Sequence, residues 1–135
     1  MHRIFVLDTN VLISAQIKEG SVSALAFDRA FETGLIVCTS KILLEFATRF
    51  SKKKFDKYMP AEDRAEAIAR AKQAFTFIEP AIEIKACRDP DDDKFLSLAV
   101  ATNASCIVTG DGALQELHPF RGIPILSPAD FLKMF

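Results

Sequence analysis

The segment Arg3–Leu7, followed directly by Asp8, Thr9 and Asn10, restricts the fold of this chain more than any other feature. Its residues Ile-Phe-Val-Leu form a continuous apolar run, which is typical of a strand buried on both faces of a parallel sheet. Parallel strands need crossover connections, so helices must alternate with the strands. Ligands of such folds bind beyond the carboxyl ends of the strands. Asp8 is therefore predicted to lie at a functional edge of the sheet.

The rest of the sequence alternates short apolar runs with segments of helical periodicity. The apolar runs predict four further strands, at 35–38, 81–84, 105–109 and 123–126. Helices are predicted at about 11–16, 22–33, 40–50, 60–77, 89–102, 112–117 and from 128 onward. Asn10 is expected to cap the first helix, and Pro124 places the fifth strand at the edge of the sheet. This order predicts an α/β fold with a parallel sheet covered by helices on both faces, formed by a single domain over residues 1–135.

Composition narrows the function classes. The formal net charge is −1, so contact with nucleic acid would need a local basic patch. Cys38, Cys87 and Cys106 match no zinc-binding spacing, and we expect reduced thiols. Because no apolar stretch approaches membrane-spanning length, the sequence predicts a soluble, cytoplasmic protein without membrane contact.

Four acidic residues are candidates for one functional site. Asp8 follows the first strand, Asp111 follows the fourth, and Glu45 and Asp93 lie in the helices between them. Carboxylates that converge on one point repel one another unless a divalent cation neutralises them. The spacing of these acids along an α/β fold therefore favours a metal-binding site.

Each of these acids also has a structural explanation. Asp8 and Asp111 can cap the helices that follow them, and Glu45 can pair with Lys41 or Arg49 four residues away. The run Asp91-Asp92-Asp93 suits the first turn of a helix. Asp93 is preferred as the functional acid because Leu96 and Val100 follow it on one helical stripe. Asp92 remains its competitor.

Taken as a set, these motifs resemble those of PIN-domain proteins, and more narrowly the PIN-family toxins of prokaryotic toxin–antitoxin modules. The resemblance is carried by segments 7–14, 44–46, 89–101 and 108–111. It implies a three-layer α/β/α sandwich with a mostly parallel five-stranded sheet, and an endoribonuclease dependent on Mg²⁺ or Mn²⁺. The metal-binding and catalytic acids implied by it are Asp8, Glu45, Asp93 and Asp111. Asn10 and Thr109 match supporting polar positions, and Asp92 is either a supporting residue or the third acid itself.

Binding of RNA would require cations outside the acidic residues. Basic residues concentrate between the second strand and the long helix, at Lys41, Arg49, Lys52, Lys53 and Lys54. These side chains could neutralise phosphates, or they could simply form a solvated face. The resemblance further implies an antitoxin protein as partner and a homodimer.

Other phosphoryl-transfer folds that use an aspartate at a strand end fit less well. A haloacid-dehalogenase-like enzyme needs a second aspartate where this chain has Asn10, and a receiver domain needs a lysine after its last central strand. Neither GxGxxG nor GxxxxGK occurs. The remaining alternative is a non-catalytic module that binds RNA or protein through a metal-loaded acidic cleft.

Overall fold

A computed structural model describes residues 2–135 of the chain as an α/β/α sandwich. Within these residues the strands are β1 (Arg3–Leu7), β2 (Gly34–Cys38), β3 (Thr76–Phe77), β4 (Cys106–Val108) and β5 (Ile125–Leu126). The α-helices are α1 (Thr9–Ile17), α2 (Val22–Thr33), α3 (Ser40–Phe50), α4 (Ala61–Ala74), α5 (Asp93–Thr102), α6 (Gly112–Gln115) and α7 (Pro128–Met134). Short 3₁₀ turns occupy Lys53–Phe55 and Pro90–Asp92. The predicted three-layer, five-stranded architecture is confirmed.

The sheet is built around β1, in the order β3-β2-β1-β4-β5. Every one of its strand pairs in the described residues is parallel. Phe5, Val6 and Leu7 are buried in its centre, as the apolar run of the sequence predicts. Helix α7 covers one face, where the Phe131 ring packs edge-on against Phe5 at 5.1 Å between centroids. Because the strands run parallel, their carboxyl ends lie along one edge.

Helix starts follow from local capping chemistry. The side chains of Ser21, Thr39 and Ser127 each accept a hydrogen bond from a backbone amide in the first turn of α2, α3 and α7. The predicted cap of α1 is wrong, because Asp8 rather than Asn10 fills this position. The Oδ1 atom of Asp8 accepts from the backbone amide of Val11 at 2.8 Å, so the helix begins two residues earlier than predicted.

The third strand is the main error of the sequence-based topology. It lies at Thr76–Phe77, whereas the prediction placed it at 81–84 and extended the preceding helix to about residue 77. Helix α4 ends at Ala74 because Phe75 turns into an extended conformation, which buries its ring and lets Thr76 pair with Val37. The backbone amide of Ile84 instead donates to the Ser97 hydroxyl at 2.9 Å. By contrast, β5 does lie at the sheet edge, as Pro124 predicts.

The state of the cysteines and the length of the helices bear on two expectations from composition. Cys38, Cys87 and Cys106 are free and buried. Burial raises the pKa of the Cys38 and Cys106 thiols to about 12, which keeps both protonated at neutral pH. Across residues 2–135, every helix is too short or too polar to span a bilayer.

Candidate functional site

Asp8 lies where β1 ends and α1 begins, at the carboxyl edge of the sheet. It is 4% exposed, and its backbone amide continues the sheet ladder by donating to the Val108 carbonyl at 3.0 Å. One carboxylate oxygen caps α1, and the Thr109 hydroxyl donates a hydrogen bond to the other. Burial raises the pKa of Asp8 despite these hydrogen bonds, and the charges of Asp111 and Glu45 raise it further. The structure thus joins three predicted site residues, Asp8, Thr109 and Asp111.

Glu45 projects from α3 toward the same edge, where two hydrogen-bond donors and a more distant arginine contact its carboxylate. The Thr9 hydroxyl donates to Oε1, and Lys94 Nζ lies 2.6 Å from Oε2. Arg49 Nη2 is more distant, at 3.6 Å from Oε2. Burial alone would raise the pKa of Glu45, but the hydrogen bonds from Lys94 and Thr9 hold it below the ordinary value. Glu45 is therefore ionised, and an intramolecular cation offsets its charge.

Asp111 and Asp92 form a carboxyl pair beside Asp8. The Oδ1 atom of Asp111 caps α6 by accepting from the Ala113 amide at 2.9 Å, and the Asp111 amide donates to the Thr109 hydroxyl at 3.0 Å. Burial raises the pKa of Asp92 to about 7, with further contributions from its hydrogen bond to Asp111 and their mutual repulsion. The same hydrogen bond lowers the pKa of Asp111. The titration of each carboxyl group therefore depends on the other, and a bound cation would favour the ionised form of both.

Asp93, the preferred third acid of the sequence-based prediction, has different contacts. Its Oδ1 atom accepts from the backbone amides of Ala86 at 3.0 Å and Cys87 at 2.7 Å. These bonds tie the irregular segment before α5 to the first turn of that helix. The structure therefore pairs Asp92, not Asp93, with Asp111. We refer to Asp8, Glu45, Asp92 and Asp111 as the acidic cluster.

The remaining predicted residues divide between this edge and the surface. Asn10 is exposed in the first turn of α1, and Lys41 is exposed on α3. Arg49 contacts the acidic cluster through Glu45. Lys52, Lys53 and Lys54 are exposed on the segment that follows α3, so they form a separate basic surface.

Sequence reasoning missed two residues that contact the acidic cluster. Thr9 is buried and bonds Glu45, and Lys94 bonds the same carboxylate from α5. Both follow a candidate acid directly in the sequence, Thr9 after Asp8 and Lys94 after Asp93. A hydroxyl or ammonium group next to a candidate acid could have indicated a site residue. That both groups bond Glu45 on α3 is evident only from the fold.

The acidic cluster fits a hard divalent cation in its donor chemistry. Its ligating atoms are carboxylate oxygens, which Mg²⁺ prefers. Asp92 Oδ2 is buried without a hydrogen-bond partner in the described part of the chain, and a cation would satisfy it. The donors are not gathered around one point, however: across residues 2–135, no three Asp, Glu, His or Cys side chains form a ready metal-binding group.

A parallel sheet between helices, with acidic side chains at its carboxyl edge, defines a three-layer α/β/α domain. The chain belongs to the PIN domain family, and the sequence model of that family matches residues 4–113. It is similar to the uncharacterized protein MJ1680 of Methanocaldococcus jannaschii, with 36% identity over 115 residues, covering 84% of this chain and 74% of that protein. Its fold is similar to a chain in the crystal structure of VapBC2 from Rickettsia felis bound to a DNA fragment from their promoter. That match has a TM-score of 0.58 and 16% identity, and it covers 90% of this chain and 96% of the other.

Proposed function

We propose that this protein is an endoribonuclease, a hydrolase that cleaves RNA phosphodiester bonds with Mg²⁺ or Mn²⁺, and that residues 1–135 form one such domain. The observation that carries the proposal is the carboxyl pair of Asp92 and Asp111 beside Asp8, with a buried, unpaired oxygen on Asp92. Membership of the PIN domain family supports a nuclease. The same observation favours Asp92 over Asp93 as the third acid.

The acidic cluster would hold the cation. When bound, such an ion stabilises the charge of the phosphate and lowers the pKa of a water molecule. Thr109 keeps Asp8 oriented toward Asp111, and Thr9 keeps Glu45 turned toward the cluster. Burial and the neighbouring Asp111 raise the pKa of Asp92, and a bound cation would oppose this shift because it favours the ionised carboxylate.

Recognition of RNA is assigned to the basic residues near α3. Exposed lysines lie at one end of this helix and on the segment that follows it, and Arg49 lies next to Glu45. The residues proposed to contact phosphates are Lys41, Arg49, Lys52, Lys53 and Lys54. This binding would weaken as salt concentration rises, because phosphate neutralisation releases counterions.

The wider role follows from the fold comparison. The similar structure is of VapBC2, which is bound there to a promoter DNA fragment. On that basis we propose that this chain is the toxin of a toxin–antitoxin module, active in the cytoplasm as a homodimer and inhibited by an antitoxin protein. Co-purification with the product of an adjacent small reading frame would support this assignment.

A second candidate is a PIN-like module that binds RNA or protein without cleaving it. It is favoured by the state of Glu45, whose two oxygens are already bonded by Lys94 and Thr9. In this case the basic surface would bind RNA, and the acidic cluster would have only a structural role.

The test compares cleavage of structured and unstructured RNA in Mg²⁺, Mn²⁺ or EDTA. Asp8→Asn and Asp92→Asn should each abolish metal-dependent cleavage. Asp91→Asn is the matched control, because Asp91 is an exposed neighbour in the same acidic run. Asp93→Asn tests the competing assignment directly. Binding of RNA without cleavage in any metal would favour the second candidate, and cleavage that survives both inactivating substitutions would refute the proposed site.

A further inference from the structure

Lys94 places a positive charge next to Glu45 of the acidic cluster. Its side chain is only 11% exposed, and that of Glu45 is 19% exposed. The ammonium group lies 2.6 Å from Glu45 Oε2 and 2.5 Å from the backbone carbonyl oxygen of Asp91. Its charge also acts on Asp92, the residue two positions earlier. The ammonium group thus contacts one of the carboxylates proposed to hold a cation, that of Glu45, and its charge acts on a second, that of Asp92.

The contacts of Lys94 differ in kind from those of the other donors to Glu45. Thr9 is neutral and fully buried, so its hydroxyl can orient Oε1 without supplying charge. Arg49 is 41% exposed at 3.6 Å, so solvent screens most of its effect. Lys94 therefore provides most of the neutralising charge, while Thr9 holds the other carboxylate oxygen of Glu45.

We propose that Lys94 is a built-in counter-ion for Glu45 that lowers the affinity of the acidic cluster for divalent cations. Lys94 is a positioning residue in this scheme, since it acts through Glu45. The inference rests on the proposed metal site. In this proposal Lys94 stabilises the metal-free protein. It also makes metal binding weaker and more readily reversible.

The proposal makes opposite predictions for stability and for metal affinity. Replacing Lys94 by Met keeps the aliphatic stem and removes the charge. In EDTA the variant should melt at a lower temperature than the parent, because Glu45 loses its partner. It should nevertheless bind Mn²⁺ about tenfold more tightly, because no internal cation would then offset the charge of Glu45. A purely structural lysine would weaken metal binding or leave it unchanged when removed.

The experiment is a titration of the full chain with MnCl₂, and separately with MgCl₂, followed by calorimetry and by the rise in melting temperature. Lys94→Met is compared with Lys94→Arg, which keeps the charge and should retain the parent affinity. Lys18→Met is the matched control, because Lys18 is an exposed residue at the end of α1. If Lys94→Met does not fold, Lys94→Gln provides the same charge removal with a polar side chain.

The outcomes separate this inference from the proposed function. Tighter binding in Lys94→Met but not in Lys94→Arg or Lys18→Met supports it, as does binding that appears only after Lys94 is removed. Binding by the parent that is unchanged or weaker in Lys94→Met overturns the counter-ion role and leaves the metal site intact. Absence of Mn²⁺ and Mg²⁺ binding in both the parent and Lys94→Met refutes the metal site and the inference together.

Discussion

Arg64 offers the sharpest test of how this fold is held together. Its side chain is 1% exposed. Nη1 donates to the carbonyl oxygens of Phe50 at 2.7 Å and Lys52 at 2.8 Å, and Nε donates to that of Met59 at 3.0 Å. Nη2 also pairs with Asp56, whose side chain is 51% exposed and therefore contributes little. The guanidinium group thus fixes the connection between α3 and α4 from inside.

Replacing Arg64 by Met should destabilise the protein strongly. The thioether chain preserves apolar volume but removes the donors of three buried or partly buried carbonyl groups. At about 1–1.5 kcal/mol for each lost hydrogen bond, the free energy of unfolding should fall by about 3–5 kcal/mol. For a domain of this size the melting temperature should fall by about 10–15 °C.

The assay is urea denaturation followed by circular dichroism, with Arg70→Met as the control. Arg70 lies on the same helix, but its side chain is 70% exposed and its ion pair with Glu66 is long, at 3.7 Å. Its replacement should therefore change the free energy of unfolding by less than about 0.5 kcal/mol. A decrease of less than about 1 kcal/mol for Arg64→Met would refute the reasoning, because it would mean that water replaces the guanidinium donors.

The remaining predictions concern the acidic cluster and the sheet. In EDTA, the free energy of unfolding should fall between about pH 4 and pH 7, because the pKa of Asp92 is about 7 in the fold and 3.8 in the unfolded reference, so the unfolded chain releases its proton first. Asp92→Asn should flatten this dependence in a pH series of urea titrations. Millimolar Mn²⁺ should raise the melting temperature of the parent by mass action, and Asp8→Asn should abolish the rise measured by calorimetry. Gly34→Ala should lower the free energy of unfolding by about 1–3 kcal/mol, because its methyl group would collide with the Arg3 carbonyl oxygen in the paired strand, whereas Gly112→Ala meets open space.

Local chemistry explains why much of the fold could be predicted from the sequence. The apolar run of β1 has no amphipathic alternation, so burial on both faces is its expected position. Ser21, Thr39 and Ser127 act as caps because each hydroxyl reaches an amide in the next turn, a contact within its own segment. The third strand could not be found in this way. This strand is only two residues long. It exists because it pairs with β2, and its own residues carry no strand pattern.

The choice between Asp92 and Asp93 shows why the candidate site was only partly predictable. Both carboxylates lie at the start of α5, about 100° apart around a helix, and either could face the sheet edge. Contacts from outside the helix decide between them, because the backbone amides of Ala86 and Cys87 donate hydrogen bonds to Asp93. These amides belong to an irregular segment whose path the sequence does not specify. Because Asp93 accepts hydrogen bonds from these two amides, Asp92 is the acid that lies beside Asp111. One of its carboxylate oxygens is buried and has no hydrogen-bond donor among residues 2–135. The structural use of Asp93 thus leaves Asp92 as the proposed third acid of the cation site.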